Sequence, residues 1–190
     1  VGATAASQSP LAAVLSCIDS RVPTELVFDV GVGDIFSVRV AGNVIGTKSL
    51  GSLEYAVGVS GVKLVIVLGH TRCGAVTSSV KLIATGQDAR SATGCQHLQA
   101  IVDEIAPSAT GISSDELDRL TANELESLVD DVAAFNALRT AEQILSRSDV
   151  IRDAVEEGRV KVVSALYDVK TGGIKFLDPA SVYSPLLTAQ

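Results

Sequence analysis

The stretch that decides the fold is Lys63-Leu64-Val65-Ile66-Val67-Leu68-Gly69, a short apolar run with a β-branched and leucine-rich centre. Such a run is typical of a strand that is covered on both faces, as in a parallel sheet. A polar segment, Gly69-His70-Thr71-Arg72-Cys73-Gly74, follows it directly, and a helical pattern begins at residue 75. We therefore predict a strand, a turn and a helix in succession, with His70 and Cys73 in the turn.

Strand patterns recur on both sides of this run and alternate with helical patterns. The other strands are predicted at residues 11–18, 35–41, 159–166 and, at an edge, 174–177. Helices are predicted at 50–59, 75–84, 97–105 and 149–156, together with one long helical region from Ser114 to Leu138, while residues 85–94 indicate a surface loop. This alternation predicts an α/β fold with a mainly parallel sheet, about four parallel strands plus a short edge strand, flanked by helices.

The bulk composition is that of a globular chain. Its 190 residues, 47% hydrophobic and 19% charged, suffice for one domain with a sizeable core. We expect residues 1–190 to form a single domain, trimmed or cut from a longer protein, because the first residue is not Met. The net charge of −7 argues against nucleic acid or an anionic membrane as a partner.

Mean hydropathy is high, at +0.37, although no apolar run reaches the roughly 18 residues of a membrane helix. We therefore expect no membrane span in this chain, and subunit contacts that bury the excess apolar surface in a homodimer or larger assembly. Three cysteines, an odd number, favour free thiols or metal ligands over a disulfide framework. The first ten residues lack a signal-peptide pattern, so we expect a reducing, cytoplasmic location.

Metal-binding side chains follow two of the predicted strands. The first strand ends in Cys17-Ile18-Asp19-Ser20-Arg21, and the third ends at His70 with Cys73 three residues on. Because ligands gather at the carboxyl ends of parallel strands, Cys17 would meet His70 and Cys73 if the two strands are neighbours. Two thiolates and an imidazole suit Zn²⁺ and leave a fourth position for water. A lone buried Cys is usually a small hydrophobic residue, so the joint pattern is what predicts a zinc site.

These two motifs, Cys17-x-Asp19-Ser20-Arg21 and His70-x-x-Cys73-Gly74, resemble the signature of the β-class carbonic anhydrase family. The segment between them agrees. Residues 33–43, Gly-Asp-Ile-Phe-Ser-Val-Arg-Val-Ala-Gly-Asn, resemble the second-strand motif of the family, and residues 52–57, Ser-Leu-Glu-Tyr-Ala-Val, resemble its helix before the His strand. The resemblance is specific over residues 8–80 and weaker beyond them.

The resemblance implies a zinc enzyme that hydrates carbon dioxide reversibly to bicarbonate and a proton, by attack of zinc-bound hydroxide. Cys17, His70 and Cys73 match the zinc ligands of the family. Asp19 and Arg21 match its catalytic dyad, in which Arg holds Asp away from zinc and Asp accepts a hydrogen bond from zinc-bound water. Read without the resemblance, Asp19 and Arg21 could also form an ordinary ion pair at a strand end.

Substrate-binding positions of the family are matched by Gln8, Phe36, Ala41 and Tyr55. Gln8 matches the glutamine that orients the substrate, and the other three fall at apolar pocket positions. Ala41 stands where a larger aliphatic residue is frequent, which predicts a roomier pocket. Only sixteen residues precede Cys17, so the family's N-terminal helical arm is largely missing from this sequence.

Two rival functions remain open at this point. One is hydrolysis of carbon disulfide or carbonyl sulfide, which would use the same zinc chemistry on the same fold. The other is a bicarbonate-sensing domain of a larger transport protein. A second metal site at Cys95-Gln96-His97 is disfavoured because no other ligand lies nearby in the sequence, and Cys95 is expected to be a free thiol.

Overall fold

A computed structural model describes residues 2–178, which form one five-stranded sheet with helices packed against it. The strands are β1 (Ala12–Ser16), β2 (Ile35–Arg39), β3 (Leu64–His70), β4 (Lys161–Tyr167) and β5 (Ile174–Phe176). Their order in the sheet is β2-β1-β3-β4-β5; the first four run parallel, and β5 pairs antiparallel with β4 at one edge. The predicted α/β class and mainly parallel sheet are confirmed.

Helices fill most of the connections between these strands. They are α1 (Thr24–Val27), α2 (Thr47–Glu54), α3 (Gly74–Thr85), α4 (Ala89–Thr93), α5 (Gln99–Ile105), α6 (Ser114–Leu117), α7 (Ala122–Arg147) and α8 (Asp149–Glu156). A π-helical turn, Tyr55–Val59, extends α2, and a 3₁₀ turn, Ala41–Asn43, follows β2. Within residues 2–178 we find no helix with the length and apolar content needed to cross a membrane.

The central strands are buried on both faces, as their composition predicts. Leu15 of β1 and Val67 of β3 face a core formed with α2, α7 and α8. Val14 and Ile66, one position along, face the opposite core beside α1. Each fully buried aliphatic side chain stabilises the fold by about 1.5–3 kcal/mol, so both faces of β1 and β3 hold the sheet in place.

The long helical region predicted from Ser114 onward is two helices, α6 and α7. The chain breaks between them because Thr121 and Glu124 form a capping box at the start of α7. The Thr121 hydroxyl accepts a hydrogen bond from the Glu124 N–H at 3.3 Å, and the Glu124 carboxylate accepts one from the Thr121 N–H at 2.8 Å. A Thr-x-x-Glu spacing inside an apolar repeat therefore marks a helix start that periodicity alone misses.

Residues 85–94, predicted as a surface loop, contain the short helix α4. Asp88 caps it by accepting a hydrogen bond from the N–H of Ser91 at 2.9 Å, and Gly94 ends it in the left-handed conformation. The prediction was wrong here because a five-residue helix is too short to show a repeat.

Gly69 allows α7 to approach β3 closely. A Cβ atom at this position would lie 3.1 Å from the backbone oxygen of Ala133, tighter than a side chain normally packs. The glycine thus brings α7 beside the end of β3, next to the turn that carries His70 and Cys73.

Candidate metal centre and active site

Three potential metal ligands converge at the carboxyl ends of β1 and β3. Cys17 directly follows β1, His70 ends β3, and Cys73 is the N-cap residue of α3. Their ligand atoms all lie within 4.8 Å of one another, and the two sulfur atoms are 3.9 Å apart. All three side chains are buried, with at most 3% exposed. Because β1 and β3 are adjacent strands, the predicted convergence of these residues is confirmed.

The imidazole of His70 is oriented for metal binding. Its Nδ1 lies 2.9 Å from the Thr71 carbonyl oxygen, which can only accept, so Nδ1 carries the proton and donates. The lone pair is then on Nε2, which is buried and has no hydrogen-bond partner among the described residues. A buried polar atom without a partner is costly, and a metal ion would satisfy it.

The two thiols also fit a cation. A hydrogen bond from Cys73 lowers the pKa of Cys17, so one thiolate forms readily. The same hydrogen bond, together with burial and the charge on Cys17, raises the pKa of Cys73. A second thiolate at this site therefore needs a positive charge beside it, which a divalent metal would supply.

Asp19 and Arg21 form a bidentate pair beside the three ligands. The Nε and Nη2 atoms of Arg21 donate to the two Asp19 carboxylate oxygens at 2.9 and 2.7 Å, and its backbone N–H also donates to Oδ1 at 2.9 Å. These bonds lower the pKa of Asp19 to about 2. The Oδ2 atom of Asp19 lies 3.9 Å from Nε2 of His70, so the carboxylate faces the ligand cluster.

Arg39 is a site residue to which the sequence assigned no role. From β2 it donates to the carbonyl oxygens of Cys17 at 2.9 Å and Asp19 at 2.5 Å. These two bonds fix the backbone that carries one ligand and the dyad carboxylate. The parallel register pairs Arg39 with Ser16 and so brings the arginine beside the segment after β1, but no spacing in the sequence signals this contact.

The turn after β2 also contacts the site. The N–H of Gly42 donates to the Cys17 sulfur at 3.3 Å, and its carbonyl accepts a hydrogen bond from buried Asn136 of α7 at 2.8 Å. Gly42 has a φ of +67°, and a Cβ atom there would lie 2.7 Å from Ile105. Both features favour glycine at this position, and its amide hydrogen bond favours the charged form of Cys17.

The four predicted substrate positions occupy different surroundings. Phe36 and Tyr55 pack edge to face, with ring centroids 6.4 Å apart, in an open groove of about 660 Å³ along the β2 edge of the sheet. We call this the β2 groove; its lining includes Phe36, Val38, Arg39, Lys48, Ser52 and Tyr55. Ala41 is half-buried beside Gly42, and Gln8 is exposed in the segment before β1. Their roles in substrate binding stay predictions.

Cys95 and His97 are both exposed and do not form part of a metal-ligand cluster in residues 2–178. Cys95 is free, as expected, and so are Cys17 and Cys73. The cytoplasmic location stays a prediction.

The comparisons with known proteins agree on one family. The family model described as carbonic anhydrase matches residues 12–174. Carbonic anhydrase 2 of Mycobacterium tuberculosis is 36% identical over 168 residues, which cover 88% of this chain and 74% of the relative. The carbonic anhydrase of Mycolicibacterium smegmatis is 35% identical over 169 residues, covering 89% and 75% of the two chains.

Solved structures give the same result. A tetrameric β-carbonic anhydrase of Sordaria macrospora aligns with a TM-score of 0.76 at 25% identity, covering 91% of this chain and 83% of its own. A β-carbonic anhydrase of Aspergillus fumigatus aligns with a TM-score of 0.78 at 25% identity, covering 99% and 86%. The chain therefore belongs to the β-carbonic anhydrase family and is an enzyme of that family.

Proposed function

We propose that this enzyme hydrates carbon dioxide reversibly to bicarbonate and a proton, with one zinc ion held by Cys17, His70 and Cys73. The observation that carries the proposal is the position of Asp19. The Oδ2 atom of Asp19 lies 3.9 Å from Nε2 of His70, and Arg21 donates a hydrogen bond to each carboxylate oxygen of Asp19. A carboxylate held beside three buried ligands, without itself being one of them, suits the orientation of a nucleophile.

The ligand set supports zinc over harder cations, because thiolate and imidazole are ligands that Zn²⁺ prefers and Mg²⁺ or Ca²⁺ do not. When bound, zinc lowers the pKa of a coordinated water to about 7 and so supplies a nucleophile near neutral pH. Three protein ligands leave room for that water, as in other catalytic rather than structural sites.

Asp19 acts as a hydrogen-bond acceptor. Its pKa near 2 keeps it ionised at neutral pH, so it accepts hydrogen bonds and donates none. A water that gives one hydrogen to Oδ2 has its lone pair turned away from Asp19 and towards the carbon of carbon dioxide. The carboxylate therefore fixes the orientation of the attacking water, and correct orientation lowers the barrier.

Arg21 keeps Asp19 in this role. Its planar guanidinium donates two parallel hydrogen bonds, which a lysine could not reproduce. Asp19 released from Arg21 would be free to turn towards the metal and take the position meant for water. We therefore assign Arg21 the role of holding Asp19 off the metal.

We further propose that the active form is a homodimer or larger assembly in which a second copy covers the β2 groove. Tyr55 is 54% exposed in the single chain, although it is matched to an apolar pocket position. A largely exposed tyrosine that packs on a half-buried phenylalanine at a sheet edge is typical of a subunit contact. The Sordaria macrospora relative is tetrameric, which supports an assembly in this family.

The test measures zinc by elemental analysis and carbon dioxide hydration by stopped flow on the same samples. We expect close to one zinc per chain, and we expect Asp19→Asn to keep that zinc while hydration falls about 100-fold or more, the range for loss of a proton-handling group. Unchanged hydration by Asp19→Asn, or a protein without zinc, would contradict the proposal.

Asp149→Asn is the matched control. Asp149 also pairs with an arginine, at 2.6 Å from Arg152. It lies in α8, which precedes the amino end of β4, whereas the metal ligands lie at the carboxyl ends of the strands. Its substitution should leave hydration unchanged. Carbonyl sulfide and carbon disulfide assays belong to the same experiment, and faster turnover of either gas than of carbon dioxide would replace the proposed substrate.

A further inference from the structure

Arg72, between the ligands His70 and Cys73, has a strained backbone. Its φ of +55° lies in the left-handed region, which residues other than glycine rarely adopt. Such a conformation persists only where surrounding groups hold it, and it is common at functional sites. The contacts that hold Arg72 are therefore informative about the site.

Two acidic residues of α7 accept hydrogen bonds from Arg72, one from its backbone N–H and one from its side chain. The backbone N–H of Arg72 donates to Oδ1 of Asp130 at 2.6 Å, and its side-chain Nε donates to Glu126 at 2.8 Å. The two acids are four residues apart, so they lie on one face of the helix. The side-chain pair is largely exposed and contributes little, whereas the short bond from a backbone N–H to a carboxylate fixes the backbone itself.

The backbone of Arg72 in turn positions Arg21. The Arg72 carbonyl oxygen accepts a hydrogen bond from Nη2 of Arg21 at 3.1 Å, and the same Nη2 donates to Oδ2 of Asp19 at 2.7 Å. One nitrogen of Arg21 thus serves both acceptors with its two hydrogens. If the peptide at Arg72 rotated, the guanidinium of Arg21 would lose its hydrogen bond to the Arg72 carbonyl oxygen.

We propose that Asp130 is a positioning residue for catalysis: by holding Arg72 in its left-handed conformation, it directs the Arg72 carbonyl at Arg21 and so keeps Asp19 aimed at the ligand cluster. The inference rests on the proposed role of Asp19 and Arg21. Asp130 acts through three intermediate contacts and touches neither the metal ligands nor Asp19. Asp130 lies close to Arg72 because Gly69 allows α7 to approach the end of β3 closely.

The test compares Asp130→Ala, Asp130→Asn and the control Asp131→Asn. Asp131 is the exposed neighbour of Asp130 on α7, so the control removes the same charge without touching Arg72. We expect Asp130→Ala to retain its metal and KM while kcat falls about tenfold, the order expected for one lost charge-assisted hydrogen bond. Asp130→Asn keeps an acceptor oxygen and should retain most of the turnover, and Asp131→Asn should behave as wild type.

The second readout is the visible absorption spectrum of the cobalt-substituted proteins, which senses a change of metal ligand without any assay of turnover. Asp130→Ala should shift the spectrum in the same direction as Arg21→Ala, because both release Asp19. A wild-type cobalt spectrum in Asp130→Ala, or an Asp130→Asn variant as impaired as Asp130→Ala, would overturn the positioning role. If wild-type enzyme failed to hydrate carbon dioxide, the function would fall, yet the spectra would still test the contacts.

Arg72→Gly provides a rescue. Glycine adopts positive φ readily, so the turn would need less support from Asp130. Adding Asp130→Ala to Arg72→Gly should therefore cost clearly less turnover than adding it to the wild type. An equal loss in both backgrounds would mean that Asp130 does not act through the Arg72 backbone. The double variant also carries the test if Asp130→Ala alone does not fold.

Discussion

The carboxyl ends of β1 and β3 differ from the β2 groove in how much of a site one chain completes. At the strand ends, the side chains of Cys17, His70 and Cys73 are buried, and their ligand atoms lie within 4.8 Å of one another. In the β2 groove, Phe36 and Tyr55 contact each other but face open space. The first region is enclosed by residues of the chain itself, and the second is open to solvent on one side.

The difference follows from the position of each strand in the sheet. The strands β1 and β3 have a neighbour on each side, so their ends are fixed by the ladder and covered by helices. The strand β2 is at an edge, where one row of backbone groups has no neighbouring strand among residues 2–178. On the proposed function, metal binding would be a property of the single chain, whereas substrate binding in the β2 groove would depend on a second copy.

The largest expected effect tests the closed region. Cys73→Ala should lose most of the zinc, at least tenfold in affinity, because two remaining ligands hold zinc poorly. Elemental analysis after dialysis measures it. Cys95→Ala is the control, since Cys95 is exposed and outside the cluster, and it should retain full zinc. Near-stoichiometric zinc in Cys73→Ala would refute the ligand assignment.

A smaller effect is expected at Arg39, which lines the β2 groove and also reaches the strand ends. Arg39→Ala removes both hydrogen bonds to the carbonyl oxygens of Cys17 and Asp19. We expect zinc to be retained and kcat/KM to fall about tenfold, equivalent to about 1.4 kcal/mol, because the lost bonds fix the dyad backbone but touch no reacting group.

Lys48→Ala is the control for Arg39, since Lys48 lines the same groove. It should leave kcat/KM within about twofold, the usual range for an exposed substitution. If Arg39→Ala and Lys48→Ala had equal effects, Arg39 would contribute only charge to the groove. Arg39→Lys should recover part of the activity, since one ammonium group cannot reproduce the planar fork.

How far the sequence predicted these regions depends on what joins their parts. The metal ligands follow two apolar runs directly, so strand adjacency was sufficient to bring Cys17 to His70 and Cys73. The contacts of Arg39 and Asp130 could not be predicted in the same way. Both are bonds to backbone atoms far along the chain, and such bonds leave no spacing in the sequence. The helix break at Thr121 was present as a motif but was hidden by the leucine repeat.

A several-fold effect is expected in the β2 groove. Tyr55→Ala should lower kcat/KM a few-fold and weaken the assembly, with zinc unchanged, because Tyr55 supplies apolar surface and an edge-to-face contact with Phe36. Phe176→Ala is the control, since Phe176 is 63% exposed on β5 at the other edge of the sheet. Stopped-flow kinetics and analytical ultracentrifugation over a range of protein concentrations measure both effects. Loss of zinc in Tyr55→Ala would show that the two regions are not independent.

The smallest expected effect concerns pH and bears again on the closed region. Arg21 lowers the pKa of Asp19 to about 2, so Asp19 is ionised throughout the range from pH 6 to pH 9 and does not titrate there. We expect hydration to rise with pH and to plateau on the alkaline side of neutrality. That rise must therefore report proton loss from another group at the site.

A fixed negative charge opposes the loss of a proton from a neighbouring group and so raises its pKa. Asp19→Asn removes such a charge, and the midpoint of the pH profile should move to lower pH, by about half a unit because Arg21 already screens the carboxylate. The plateau should fall much further than the midpoint moves, since orientation of the nucleophile is lost as well. Stopped-flow profiles from pH 6 to pH 9, with Asp149→Asn as the control, separate the two changes. A profile that no longer depends on pH would mean that Asp19 is itself the titrating group. A midpoint that moves to higher pH would contradict the expected effect of the carboxylate charge.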